Sequence, residues 1–173
     1  MHRNIANVVS PTDISVSAVV EYAVKYVKVS HIVLCGHSCC GGAAAALGDG
    51  QVGGVLDTWL TPLKAVRKAN LAELESIADS GKRAVRLAEL NVARGVETLL
   101  SMFAVEEAIK ERGLQVHGVL YDIGCGKVRD LGLGNADSMK TGGINGSTEG
   151  EIVKGKHAML VFRDSGASMK VQS

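Results

Sequence analysis

One short segment of the 173-residue chain, residues 35–42, contains three of its four cysteines and one of its five histidines. His37 and Cys40 are three residues apart, so an imidazole and a thiolate on one turn can converge on a single metal ion. Mixed nitrogen and sulfur ligation favours zinc among the common metals. The same residues also fit an inert turn with a surface histidine and a buried cysteine. The spacing alone leaves both interpretations open.

The elements around this segment place it at the end of a strand. Residues 31–35 form a short apolar run that stops at Gly36, and a helical pattern precedes them. This order predicts a strand buried on both faces of a parallel sheet, with Gly41 and Gly42 opening the next helix. Open α/β sheets put their sites at the carboxyl ends of such strands. The preceding helix has one apolar face, interpreted as core: Val16, Val19, Val20, Ala23, Val24 and Val27.

The rest of the chain predicts further helices and strands. Helices are expected at 57–68 and 83–112, with a break near Ser101 and a stop at Gly113. A second strand is expected at 116–122, and residues 128–131 could return antiparallel to it. Residues 132–156 form a predicted Gly-rich loop, followed by an edge strand and a tail at 157–173. His31 and His117 fall within predicted strands and are interpreted as a strand cap and a packing residue.

Composition excludes several classes of function. Formal net charge is +1, which argues against a dedicated nucleic-acid or membrane-surface binder. No apolar run approaches the roughly 20 residues that span a bilayer, and no export signal is recognised. We therefore expect a cytoplasmic location, although an organelle is also compatible. The four cysteines are then expected as reduced thiols or metal ligands.

Several motifs resemble those of one enzyme family. The pattern Cys-Gly-His-Ser-x-Cys-Gly-Gly after a strand rich in Val and Ile resembles the second zinc motif of the β-class carbonic anhydrases. Other segments are similar to that family in the same order, over about residues 3–131. They are Arg3-Asn4-Ile5-Ala6-Asn7, Glu21-Tyr22-Ala23-Val24, Trp59-Leu60, Glu89-Leu90-Asn91-Val92 and Val116-His117-Gly118-Val119-Leu120-Tyr121-Asp122.

The resemblance implies a fold, a cofactor and a reaction. The fold is α/β: a parallel sheet core flanked by helices, with an antiparallel C-terminal edge strand. In the family, Zn²⁺ activates a water for the reversible hydration of CO2 to bicarbonate. His37 and Cys40 match two of the zinc ligands, and Gly41 and Gly42 match the backbone turn beside the metal. Family members are dimers or higher oligomers, so a homodimer or larger homo-oligomer is expected.

One family motif has no match. The Cys-x-Asp-x-Arg motif would precede Arg3, so the resemblance predicts a domain at 1–131 that lacks its N-terminal strands. It also predicts that the Asp-Arg pair is absent, which leaves no catalytic residue to assign. With two family ligands, zinc is expected to bind weakly or not at all. Cys39 and Cys125 are the candidate substitute ligands, the second because it follows a strand expected beside the first.

Three functional hypotheses remain open. The first is a zinc-dependent carbonic anhydrase. The second is a catalytically impaired relative that acts as a non-enzymatic oligomer or interaction subunit. The third is an anion-binding module that uses the helix start at Gly41 and Gly42, a hypothesis with the least support because it depends on one turn.

Overall fold

The computed structural model describes residues 1–135, 158–163 and 166–171. A 3₁₀ turn at Ile5–Asn7 opens the chain. Six α-helices follow: α1 (Ile14–Glu21), α2 (Gly41–Leu47), α3 (Val55–Ala69), α4 (Leu71–Ser76), α5 (Ser80–Leu100) and α6 (Phe103–Arg112). The strands are β1 (His31–His37), β2 (Gln115–Asp122), β3 (Lys127–Gly134), β4 (Ala158–Arg163) and β5 (Gly166–Val171). None of the described helices is long and apolar enough to cross a membrane.

The main sheet has three strands in the order β1-β2-β3. β1 and β2 pair in parallel, with His31 opposite Gln115 and His37 opposite Tyr121. β3 returns antiparallel along β2. The predicted α/β class, the parallel neighbours and the antiparallel return are therefore confirmed. The prediction that the first strand is buried on both faces is wrong for the described part of the chain, because Val33 in the middle of β1 is half exposed. The carboxyl ends of β1 and β2 lie side by side, as parallel pairing requires.

Helix α5 packs directly on one face of this sheet. A Cβ built on Gly36 would lie 2.7 Å from Val92 Cγ2, and one built on Gly118 would lie 3.0 Å from Val92 Cγ1. Glycine at these two strand positions lets the helix approach closely, because any larger side chain would meet the fully buried Val92. Helix α5 therefore fixes the position of β1 and β2, and β1 ends at the turn that contains His37 and Cys40.

The core is aliphatic and falls into two clusters around α5. The first cluster lies towards α2, α3 and α4 and includes Leu60, Leu63, Leu74 and Leu87. The second lies towards α6 and β2 and includes Val24, Val96, Val105, Leu114 and Val116. With aromatic residues at only 3% of the chain, close packing of branched aliphatic side chains supplies the apolar burial.

Residues from separate motifs tie the N-terminal segment to the helices. The buried Asn91 side chain donates to the Ala6 carbonyl at 2.7 Å, and Trp59 Nε1 donates to the Ile5 carbonyl at 2.9 Å. Motifs that are far apart in sequence thus meet at the 3₁₀ turn.

The first helix differs from its prediction. The helix continues beyond α1 as a π-helical turn at Tyr22–Tyr26. Val16 and Val24 are buried as predicted, but Val19 and Val27 are exposed. A π turn has more residues per turn than an α-helix, so Val27, which follows it, rotates off the face that a regular 3.6-residue repeat predicts. Val19 lies before the π turn, and the turn does not explain its exposure.

The C-terminal part also differs in detail. β3 continues to Gly134, so residues 132–134 belong to a strand rather than to the predicted loop, of which 136–157 lie outside the described residues. The expected strand near 157–163 is present as β4. Residues 166–171, predicted as tail, form β5 and pair with β4 in a separate two-stranded antiparallel sheet. The antiparallel edge of the main sheet is β3. The domain division at 131 stays a prediction.

The tight packing of α5 on the sheet gives a stability prediction. In Gly118→Ala, the new Cβ would lie 2.9 Å from Leu133 Cβ and 3.0 Å from Val92 Cγ1. Neither atom is the mobile end of a long side chain, so we expect a loss of about 1–3 kcal/mol in unfolding free energy, typical of overpacking. Urea unfolding followed by circular dichroism measures it. Gly50→Ala is the matched control, because nothing lies within 4 Å of its added Cβ.

Candidate functional site

The candidate site lies where β1 ends and α2 begins. His37 is the last residue of β1, Ser38 and Cys39 form the turn, and Cys40 precedes the first residue of α2. The turn therefore lies at the carboxyl end of a parallel strand, as the sequence predicts. Helix α2 begins directly after Cys40, so the turn is held between a strand and a helix.

The His37 ring has a defined hydrogen bond. Its Nδ1 lies 2.8 Å from the Ser38 carbonyl oxygen. A carbonyl only accepts, so Nδ1 carries a proton, and in the neutral ring the free lone pair is then on Nε2. Metal-ligating histidines usually donate their second ring nitrogen in this way, which fixes the tautomer and the ring orientation. The ring of His37 is thus prepared for coordination through Nε2.

Ser38 is buried and fastens this turn to the end of β2. Its backbone N–H donates to the Tyr121 carbonyl at 2.9 Å, and its Oγ donates to Asp122 Oδ1 at 3.0 Å. The same Oγ accepts from the Ile123 N–H at 2.9 Å. Three hydrogen bonds therefore fix the peptide whose carbonyl orients His37.

Asp122 is a site residue that sequence reasoning missed. Besides Ser38, its carboxylate accepts from Cys125 Sγ at 3.3 Å and from the Gly124 N–H at 2.9 Å. The Cys125 hydrogen bond, then the Gly124 N–H, then Ser38 hold the pKa of Asp122 below its usual range. The signal that could have identified it was its position at the end of the strand expected beside His37.

The two adjacent cysteines differ in environment. Cys40 is buried with 5% of its surface exposed, whereas Cys39 is exposed and has a left-handed backbone with φ of 56°. This difference agrees with the expectation that their side chains point in different directions. Cys125, the other candidate substitute ligand, is exposed in the β2–β3 turn with its thiol directed to Asp122.

The two glycines of the site do different things. A Cβ on Gly42 would lie 2.8 Å from Ala6 Cβ, so glycine allows the first turn of α2 to contact the N-terminal segment. Gly41 has nothing within 4 Å of its Cβ position and faces open space. Only Gly42 is required by close approach of the backbone.

A cleft of about 680 Å³ opens beside the turn. Cys39, Cys40 and Gly41 line one side, and the first turns of α5, with Lys82 and Arg86, line the other. Arg86 pairs with Glu73 at 2.5 Å and with Glu89 at 2.9 Å, and Arg129 also pairs with Glu89. This ion-pair network holds the wall of the cleft.

The donor atoms of His37 and Cys40 are of the types that zinc prefers, but two ligands are fewer than zinc sites normally have. His37 offers a free Nε2 and Cys40 a buried sulfur, both suited to Zn²⁺. Within the described part of the chain, no three His, Cys, Asp or Glu side chains are grouped so that they could hold a metal ion. Neither Cys39 nor Cys125 therefore joins such a group, and their role as substitute ligands stays a prediction.

The fold and the site define an α/β protein with a candidate zinc-ligand turn at the carboxyl edge of parallel strands. A family model described as carbonic anhydrase matches residues 1–128. The chain belongs to the carbonic anhydrase family, and its structural relatives place it in the β class. The family resemblance seen in the sequence is thereby confirmed.

Solved structures and a curated relative show the extent of the similarity. A tetrameric β-carbonic anhydrase from Sordaria macrospora has 61% sequence identity and a TM-score of 0.77, over 78% of this chain and 68% of that one. The β-carbonic anhydrase CafA of Aspergillus fumigatus has 53% identity and a TM-score of 0.73, over 75% of this chain and 62% of that one. The carbonic anhydrase of Candida albicans is 43% identical over 73% of this chain and 45% of its own length. The chain thus spans about half the length of that curated relative.

The pKa of Asp122 predicts how its contribution to stability depends on pH. A carboxyl whose folded pKa is lowered stabilises the fold above its unfolded pKa of about 3.9, and that stabilisation is lost as pH falls through the folded value. We therefore expect Asp122→Asn to be less stable than the native chain at pH 7, with a difference that shrinks below pH ~4. Urea unfolding at pH 7, 5 and 3 measures this.

Glu111→Gln, an exposed change on α6, is the control for that series. An Asp122→Asn penalty of the same size at pH 3 and pH 7 would contradict the assigned role of the carboxylate.

Proposed function

We propose that this chain takes part in the zinc-dependent reversible hydration of CO2 and that His37 and Cys40 are two of its zinc ligands. The observation that carries the proposal is the hydrogen bond from His37 Nδ1 to the Ser38 carbonyl, which leaves Nε2 free at the carboxyl edge of the sheet. Membership of the carbonic anhydrase family supports the reaction.

Each residue of the turn has a proposed role. When bound, zinc supplies Lewis-acid chemistry that lowers the pKa of a coordinated water towards 7. His37 presents its imidazole in one tautomer, and the buried Cys40 presents a sulfur shielded from solvent. Ser38 and Asp122 hold the turn in place, so the orientation of His37 does not depend on the metal.

Ligand substitution tests this proposal. We expect His37→Ala and Cys40→Ser each to bring CO2 hydration, measured by stopped flow with added zinc, down to the buffer rate. Zinc content after dialysis should fall in the same variants, because each removes one of a small set of ligands. Cys39→Ser is the matched control, since it changes the neighbouring but exposed thiol. If native chain and Cys40→Ser hydrate CO2 equally, the enzymatic proposal is wrong.

A second candidate function is a non-catalytic subunit of an oligomer. It is favoured by the absence of a three-residue metal group in the part of the chain that the structure describes. It predicts a folded chain without stoichiometric zinc and with no hydration activity in either the native protein or the variants. Zinc analysis and stopped flow on the same samples separate the two functions.

Both functions are proposed to operate in a homo-oligomer. Among the described strands, β1 has a neighbour on one side only, which leaves backbone groups of a parallel strand unpaired. The tetrameric assembly of the Sordaria macrospora relative supports the same proposal.

Sedimentation velocity at micromolar concentration tests the assembly. We expect a dimer or larger species. Val33→Lys should shift the distribution towards monomer, because a lysine on an edge strand opposes pairing with a strand of another copy. Val52→Lys, on an exposed loop residue, is the control. A native chain that sediments as a monomer would contradict the proposal.

A further inference from the structure

The face of the sheet opposite α5 carries two histidines. Ile32, Leu34 and Gly36 alternate towards the helix, so His31, Val33 and Cys35 of β1 point to the other face. In the described part of the chain, these three residues are exposed. On β2, His117 lies opposite Val33 in the parallel register and therefore shares their face. The two imidazoles thus stand on neighbouring strands of one open surface.

The imidazoles are in direct contact. His31 Nδ1 lies 3.1 Å from His117 Nε2, and the ring centroids are 5.3 Å apart with an interplanar angle of 35°. At this separation one ring donates its N–H and the other accepts with a lone pair. A single proton is thus held between two ring nitrogen atoms. The backbones of the two histidines are fixed by the pairing of β1 with β2. Structural cap and packing roles do not require such a contact.

The surroundings of His117 favour its neutral form. Partial burial, and then the neighbouring His31, lower the pKa of His117 below that of a free histidine. Asp130 on β3 acts in the opposite direction and brings a negative charge near the pair. Neutral imidazoles with a nearby carboxylate are the form in which histidines bind metal ions.

We propose that His31 and His117 together form a second metal site, which takes a divalent transition ion such as Ni²⁺, Cu²⁺ or Zn²⁺ in place of the shared proton. With metal–nitrogen distances near 2.05 Å, nitrogens 3.1 Å apart subtend an angle of about 100° at the ion. That angle lies between square-planar and tetrahedral geometry, both of which these ions accept. Water molecules complete the coordination, and the proton leaves one ring to solvent or moves to its remote nitrogen.

This site is separate from the proposed zinc turn. His31 begins β1 and His37 ends it, so about six residue steps of roughly 3.3 Å, or about 20 Å, divide them. The proposal therefore does not depend on the enzymatic function. A metal at the amino end of the sheet would join β1 to β2 and stabilise the folded state by mass action.

The test uses Ni²⁺ as the probe, because it binds imidazole and does not oxidise the free thiols as Cu²⁺ can. The native full chain is dialysed against a chelator to remove bound metal and then titrated with Ni²⁺ by calorimetry. The titration is repeated in Cys40→Ser, which lacks a ligand of the proposed zinc turn, to separate the two sites. We expect one Ni²⁺ site, with affinity lowered at least about tenfold in both His31→Gln and His117→Gln because each variant removes one of two ligands. His2→Gln, an exposed histidine outside the pair, should leave the affinity unchanged.

A second measurement uses only the native chain, so its outcome does not depend on whether a variant folds. In the native chain, titration with Ni²⁺ should broaden the imidazole signals of two histidines selectively in ¹H–¹⁵N NMR spectra, and Ni²⁺ should raise the midpoint of thermal unfolding. Equal Ni²⁺ affinity in the native chain and His31→Gln overturns the proposal. So does loss of affinity in only one of the two variants, or broadening confined to His37.

Discussion

Parallel pairing between β1 and β2 is the constraint on which the rest of this structure depends. It fixes which residues of two segments, separated by more than eighty positions, become neighbours. At the carboxyl end it brings Ser38 to Asp122, and towards the amino end it brings His31 to His117. Each of these contacts joins side chains that have no relation in the sequence. The chemistry available at either end of the sheet follows from this one register.

The pairing is held in place by a single long helix. α5 lies across both strands, and glycines at 36 and 118 allow its Val92 to contact the backbone of each. The same helix contributes Asn91 to the N-terminal segment and Glu89 to the wall of the cleft. Packing of α5 therefore links the hydrophobic core to the position of the candidate site. The orientation of His37 depends on this framework through Ser38. The Ser38 hydroxyl makes two hydrogen bonds of 3.0 Å or less to the end of β2.

Sequence reasoning was most successful where the signal is local. The apolar run that ends at Gly36, the helix break near Ser101 and the stop at Gly113 each depend on neighbouring residues, and each is present in the structure. Reasoning from the sequence was less successful where geometry deviates from a regular repeat. The π turn after α1 rotates Val27 to the surface, and no 3.6-residue pattern could show that. The strand at 166–171 was missed although its residues alternate, with Ala167, Met169 and Val171 apolar and Ser168 and Lys170 polar.

The sequence by itself determined the family, the strand–turn–helix order around the candidate site, and the residues His37, Cys40, Gly41 and Gly42 as the chemically interesting turn. Those features are encoded in short motifs, which can be recognised from neighbouring residues without knowledge of the tertiary structure. Only the tertiary structure decided that His37 presents Nε2, that Cys125 is directed to Asp122, and that His31 contacts His117. These contacts depend on strand register and side-chain direction. Register is set by packing over the whole sheet, so no local window of the sequence contains it.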